Sequence, residues 1–70
     1  MNVKNIKLAE FRKLMNFSQE KMASKIGVSY SYYVKVENNK ADASKNFMIK
    51  FKTAFPNENI DNIFFSNIQQ

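Results

Sequence analysis

Apolar residues recur at helical spacing along nearly the whole chain. Ile6, Leu8, Ala9, Phe11 and Met15 follow a 3.6-residue period, which predicts a first helix capped by Asn5. Asn16 closes it, because asparagine is second only to glycine in the left-handed position that ends a helix. Ser18 caps a second helix, with Glu20 and Lys21 in its opening turns and Phe17 placed before the cap to staple onto Met22. Gly27 ends that helix. Ser29 caps a third, which runs to about Asn38 and stops at Asn38-Asn39-Lys40. Ser44 caps a fourth, bearing Phe47, Met48, Phe51, Ala54 and Phe55, and Pro56 breaks it. Asn57 or Asn59 caps a short fifth helix with Ile60, Ile63, Phe64 and Ile68 on one stripe. Tyr30, Tyr32 and Tyr33 favour strand locally, but they lie inside a helical frame. The pattern therefore predicts an all-α, compact five-helix architecture, a single domain over residues 1–70 with no repeat and no linker.

The stretch from Gln19 to Glu37 carries the most information. Met22, Ala23, Ile26, Val28, Tyr33 and Val36 are its apolar positions, and the chain's single glycine, Gly27, divides it. Two helices that meet steeply through a short turn need a backbone position tolerant of positive φ. They also need a small residue where they pack most closely, and Ala23 fits. This predicts a helix-turn-helix at about residues 18–38, whose second helix presents its outer face to a DNA major groove. An ordinary helical hairpin in a small bundle is the plainer alternative.

Composition narrows the chemistry. Without cysteine or histidine the chain has no disulfide, no thiolate ligand, and neither the commonest general base nor the commonest zinc ligand. The acidic residues, among them Glu20, Glu37, Asp42 and Asp61, form no spaced pair, so the sequence shows no catalytic site, no metal site and no cofactor. No apolar run is long enough to cross a membrane, and the amino terminus lacks the apolar core of a signal peptide. A cytoplasmic protein is expected. The net charge is +5, and all of it lies in residues 1–40, where eight Lys/Arg face three Glu; residues 41–70 balance three against three. That polarity is what a phosphate-binding face looks like, although surface lysines that only confer solubility give the same count.

The chain resembles the lambda-repressor and Cro family of helix-turn-helix regulators. The resemblance runs from about Leu8 to Phe65. It rests on Phe11-Arg12 with Phe17-Ser18-Gln19-Glu20 at the entry to the second helix, and on Glu37-Asn38-Asn39-Lys40 at the exit from the third. Ser44 and the ending Ile60-Asp61-Asn62-Ile63-Phe64-Phe65 are similar to the fourth and fifth helices. Asn16 and Asn39 stand where members often carry glycine, and Ala43 where they often carry proline.

The resemblance implies roles for particular residues. Arg12 and Glu37 are implied to form a partly buried ion pair tying the first helix to the end of the third, a match of fork and carboxylate. Tyr30, Ser31 and Lys35 fall where base-contacting side chains sit, with Val34 placed to meet a thymine methyl. Ser29 and Tyr32 join the DNA-contacting set, Tyr32 being equally placed to cover the core edge. Gln19 at the start of the second helix is implied to hold a backbone phosphate. Asn38, Asn39 and Lys40 hold phosphates on the other side, unless Lys40 is only a solvated loop lysine. Phe65 and Ile68 exceed what one core stripe requires and suggest a two-fold homodimer, against simple fraying of the terminus.

The function implied is a transcriptional regulator, Cro-like, of a phage or mobile element, which binds a pseudo-palindromic double-stranded DNA operator as a homodimer. At this length no ligand-sensing domain, and so no small-molecule ligand, is expected. A protein-interaction module of the same fold, antitoxin-like and without operator binding, is the alternative.

Overall fold

The computed structural model describes residues 6–64 and contains five α-helices: α1 (Ile6–Leu14), α2 (Gln19–Ile26), α3 (Tyr30–Glu37), α4 (Lys45–Ala54) and α5 (Ile60–Phe64). One device starts the middle three. Ser18, Ser29 and Ser44 each adopt extended backbone, and each Oγ accepts a peptide N–H three residues on, at 3.0, 3.1 and 3.0 Å. Each serine thereby satisfies one of the donors that a helix start leaves without a partner. Asn5, the expected cap of α1, lies outside the described residues.

The stops also follow from residue chemistry. Gly27 has φ 93, and its N–H and that of Val28 both return to the Ala23 carbonyl, at 2.8 and 3.0 Å. A Cβ at Gly27 would meet nothing within 4 Å. The glycine is thus required by backbone conformation alone and not by crowding. Asn16 and Asn39, with φ 62 and 63, supply the same left-handed turn after α1 and α3. At the end of α4 the ring of Pro56 bars Phe55 from helical ψ, and Phe55 sits at φ −132, ψ 72. The helix α5 starts directly after Asn59, whose carbonyl accepts the Ile63 N–H at 3.2 Å.

The core gathers Leu8 from α1, Met22, Ala23 and Ile26 from α2, Tyr33 and Val36 from α3, Phe47 and Phe51 from α4, and Ile63 from α5. Aromatic rings join its α1, α4 and α5 sides. Phe51 meets Phe11 and Phe64 edge-on at 5.6 and 5.3 Å, and Phe64 meets Phe47 at 5.8 Å. The positive edge of one ring against the negative face of the next favours this arrangement. Phe17 packs against the core cluster that includes Met22, and its ring also meets Phe55 and the Lys25 ammonium. Met15 departs from the expected stripe: it lies past the end of α1 and is 42% exposed. Among the described residues no helix is long and apolar enough to cross a membrane.

Candidate nucleic-acid interface

The helices α2 and α3 pack on each other through Met22, Ala23, Ile26, Tyr33 and Val36, with only Gly27, Val28 and Ser29 between them. Lys50 reaches over from α4 and donates to the Gly27 carbonyl at 3.2 Å, which ties the turn to the scaffold. Since α3 buries Tyr33, Val36 and Glu37, the helical period turns Ser31, Lys35 and Asn38 the other way, with Val34 on the flank, while Tyr30, one turn before Tyr33, lies at the open start of the helix. Tyr30, Ser31 and Lys35 are exposed, and Val34 and Asn38 are half-buried. Asn39 and Lys40 follow on the surface, where the Lys40 N–H folds back to the Lys35 carbonyl at 2.8 Å.

Behind this face lies a polar node. Glu37 is buried, and its carboxylate accepts four hydrogen bonds. Arg12 of α1 supplies two, from Nε at 2.8 Å and Nη2 at 3.2 Å, while its Nη1 donates to the Phe17 carbonyl at 2.8 Å. The Tyr33 hydroxyl supplies one at 2.6 Å, and Gln19 Nε2 another at 2.9 Å. Burial alone would push the Glu37 carboxyl up, but the donors from Arg12, Tyr33 and Gln19 outweigh it and hold the group below the ordinary glutamate value. Burial and the neighbouring carboxylate push the Tyr33 hydroxyl up, so it stays a donor. The hydrogen bond to Glu37 raises Arg12 further. One carboxylate thus joins α1, the loop after it, the first residue of α2, and α3.

The model of a family described as helix-turn-helix matches residues 8–56, from α1 to the end of α4. The chain belongs to the helix-turn-helix family. It is of the XRE type, which includes the lambda repressor and Cro, and the regular structure of the described residues is all-helical, in keeping with that membership. No curated protein and no solved structure matches the chain significantly. Membership supports DNA binding and a regulatory role.

In this helix-turn-helix protein the candidate residues fall into three groups. Tyr30, Ser31, Lys35, Asn38, Asn39 and Lys40 form one surface on α3 and just beyond it. Gln19 and Ser29 stand at helix starts. Gln19 is half-buried, with its amide turned inward to Glu37. Ser29 is exposed, but its Oγ is occupied as the α3 cap. Tyr32 forms a third case. Its hydroxyl donates to the Asp42 carbonyl at 2.8 Å and accepts the Ser44 N–H at 3.2 Å, and its ring meets Phe47 edge-on. These contacts join Tyr32 to the α3–α4 loop and the core edge, which is one of the two placements the sequence leaves open for it. Phe65 and Ile68 lie outside the described residues.

Several contacts had no sequence expectation, among them Tyr33–Glu37, Gln19–Glu37 and Lys50–Gly27. The Tyr33–Glu37 bond has the i, i+4 spacing that places two side chains on one helix face, so it was readable. The Lys50–Gly27 bond spans 23 positions and has no local signature.

Proposed function

We propose that this protein is a sequence-specific DNA-binding repressor, Cro-like, that reads a pseudo-palindromic operator as a homodimer. The observation that carries the reading is the exposed face of α3. Ser31 and Lys35 project from a short helix whose opposite side is anchored in the core and in the Glu37 node, and Tyr30 is exposed at the first residue of that helix. Lys35 donates to guanine O6 or N7, Ser31 bonds either kind of base edge, and Val34 meets a thymine methyl. Tyr30 touches sugar or phosphate. Gln19, with the first peptide N–H groups of α2, holds a phosphate on one flank. Asn38, Asn39 and Lys40 hold phosphates on the other.

The confinement of the +5 excess to residues 1–40 supports the reading, because that segment contains α1, α2, α3 and the following turn. Phe65 and Ile68 form the two-fold contact, which sets half-sites about one DNA turn apart. The test is selection of binding sequences from a random duplex library, followed by titration of the selected site in rising salt. A pseudo-palindrome should emerge, and log K should fall against log salt with a slope near about −5. A slope near zero, or no enriched sequence, would refute operator binding and favour a protein-interaction module. An asymmetric single half-site, unchanged by Phe65→Ser, would refute the dimer.

A further inference from the structure

We infer that Glu37 is a positioning residue for DNA binding, which sets the Gln19 amide so that one of its two hydrogens is held inside the fold and the other is aimed at a backbone phosphate. The inference rests on the proposed phosphate role of Gln19 and adds what orients it.

A glutamine on a helix start is ordinarily a poor fixed donor. Three side-chain torsions are free, and the amide presents oxygen or nitrogen with equal ease. An oxygen turned outward would repel a phosphate. In this structure the choice is made internally. Gln19 Nε2 donates to Glu37 Oε1 at 2.9 Å, and a carboxylate only accepts, so the nitrogen and not the oxygen is drawn to that point. The amide group is planar, which fixes the direction of the second Nε2 hydrogen once the first is held. Gln19 is also the first residue of α2, where the helix itself provides no acceptors for the peptide N–H groups of Gln19 and Glu20. Ser18 already occupies the N–H of Lys21. The second amide hydrogen and these peptide hydrogens therefore belong to one end of one helix.

The carboxylate is itself held from two other elements. Arg12 grips it with Nε and Nη2, and Tyr33 Oη grips it from within α3. The donor at the start of α2 is consequently registered against α1 and the recognition helix, and a rotation of α3 moves the phosphate contact with it. Orientation of this kind lowers the ordering cost on binding. No buried side-chain nitrogen or oxygen among the described residues lacks a partner, so a displaced Gln19 amide would leave a Glu37 acceptor position unfilled.

The sign of the effect separates positioning from electrostatics. Glu37→Gln removes a negative charge beneath a DNA-binding surface, and Coulomb attraction alone would then tighten binding. Positioning requires the opposite. The probe is a fluorescent mixed-sequence duplex of about 20 base pairs at low salt, because a phosphate contact acts on every sequence. Binding is read by anisotropy for the full chain, Glu37→Gln, Gln19→Ala and the double variant, with the folded fraction checked by circular dichroism. Each single change should weaken binding about five- to tenfold, and the double should be no weaker than Gln19→Ala alone. Equal or tighter binding by Glu37→Gln overturns the inference. So does a Glu37→Gln loss that persists in full when Gln19 is already alanine. If the unaltered protein shows no salt-dependent binding, the DNA reading fails and the inference falls with it.

A second measurement needs no substitution at Glu37. In the amide spectrum of the unaltered protein, one Gln19 Nε2 proton should lie downfield, bonded to the carboxylate, and should stay there when duplex is added while its partner shifts. If both protons move to solvent-like positions, the amide has released Glu37 to reach DNA and the inference is wrong.

Discussion

Removing Glu37 should cost more than removing Arg12, and the two losses should not add. Glu37→Ala leaves the Arg12 guanidinium with only the Phe17 carbonyl, and it strips the acceptor from Gln19 Nε2 and from the buried Tyr33 hydroxyl. Breaking a buried pair from one side costs about 3–5 kcal/mol, and stranded neutral donors belong to the same loss. Arg12→Ala is milder. The Glu37 carboxylate keeps its bonds from Tyr33 and Gln19, so the expected cost is about 2–4 kcal/mol. A domain of this size has a total stability of roughly 4–10 kcal/mol, so Glu37→Ala should remove a large part of it. The double variant has neither stranded charge, and a coupling of about 1–3 kcal/mol between the sites follows. Urea denaturation of all four proteins at neutral pH, followed by far-ultraviolet circular dichroism, gives the cycle. Additivity within about 0.5 kcal/mol would refute the node, because residues that share two hydrogen bonds cannot act independently.

Other predictions concern pH, backbone and surface. Glu37 has its folded value below the ordinary 4.5, so its contribution is present above that pH and is lost as pH falls through 4.5 toward the lower folded value. Stability against urea should decline on that acid limb, and Glu37→Gln should flatten it. Gly27→Ala should destabilise by about 1–2 kcal/mol through backbone strain alone, since a Cβ there meets no atom within 4 Å; a loss above about 3 kcal/mol would indicate a clash that this geometry lacks. Tyr32→Phe should lower stability by about 1–2 kcal/mol in urea, because Asp42 and Ser44 lose their partner, and it should leave the selected DNA sequence unchanged. Lys35→Ala should do the reverse, with stability unaltered and about 1–3 kcal/mol lost on the selected site with relaxed preference at one base pair. An exchange of these two phenotypes would place Tyr32 on the reading face.

The starts and stops of the helices were legible in the chain because local chemistry sets them. A serine that caps its own third N–H acts within four residues, as at Ser18, Ser29 and Ser44. The left-handed backbone at Asn16, Gly27 and Asn39 is a property of one residue. The core stripe of α3 was legible for the same reason: Tyr33 and Val36 share a face by periodicity alone. The buried Arg12–Glu37 pair was reached differently, through resemblance, because 25 positions separate its members. Side chains with two possible partners were not decided locally. Tyr32 lies at the edge of its helix face, and only the passage of Asp42 and Ser44 beside its hydroxyl turns it to the loop. Gln19 reads as a surface residue at a helix start, yet a carboxylate from α3 takes its amide inward. Met15 continues the apolar stripe of the first helix in sequence, yet it lies past the end of α1 and is 42% exposed. Caps and turns are settled by energies between near neighbours in the chain. The orientation of a long polar side chain is settled by whichever distant acceptor the packing of helices brings within reach, and that is a property of the assembled fold.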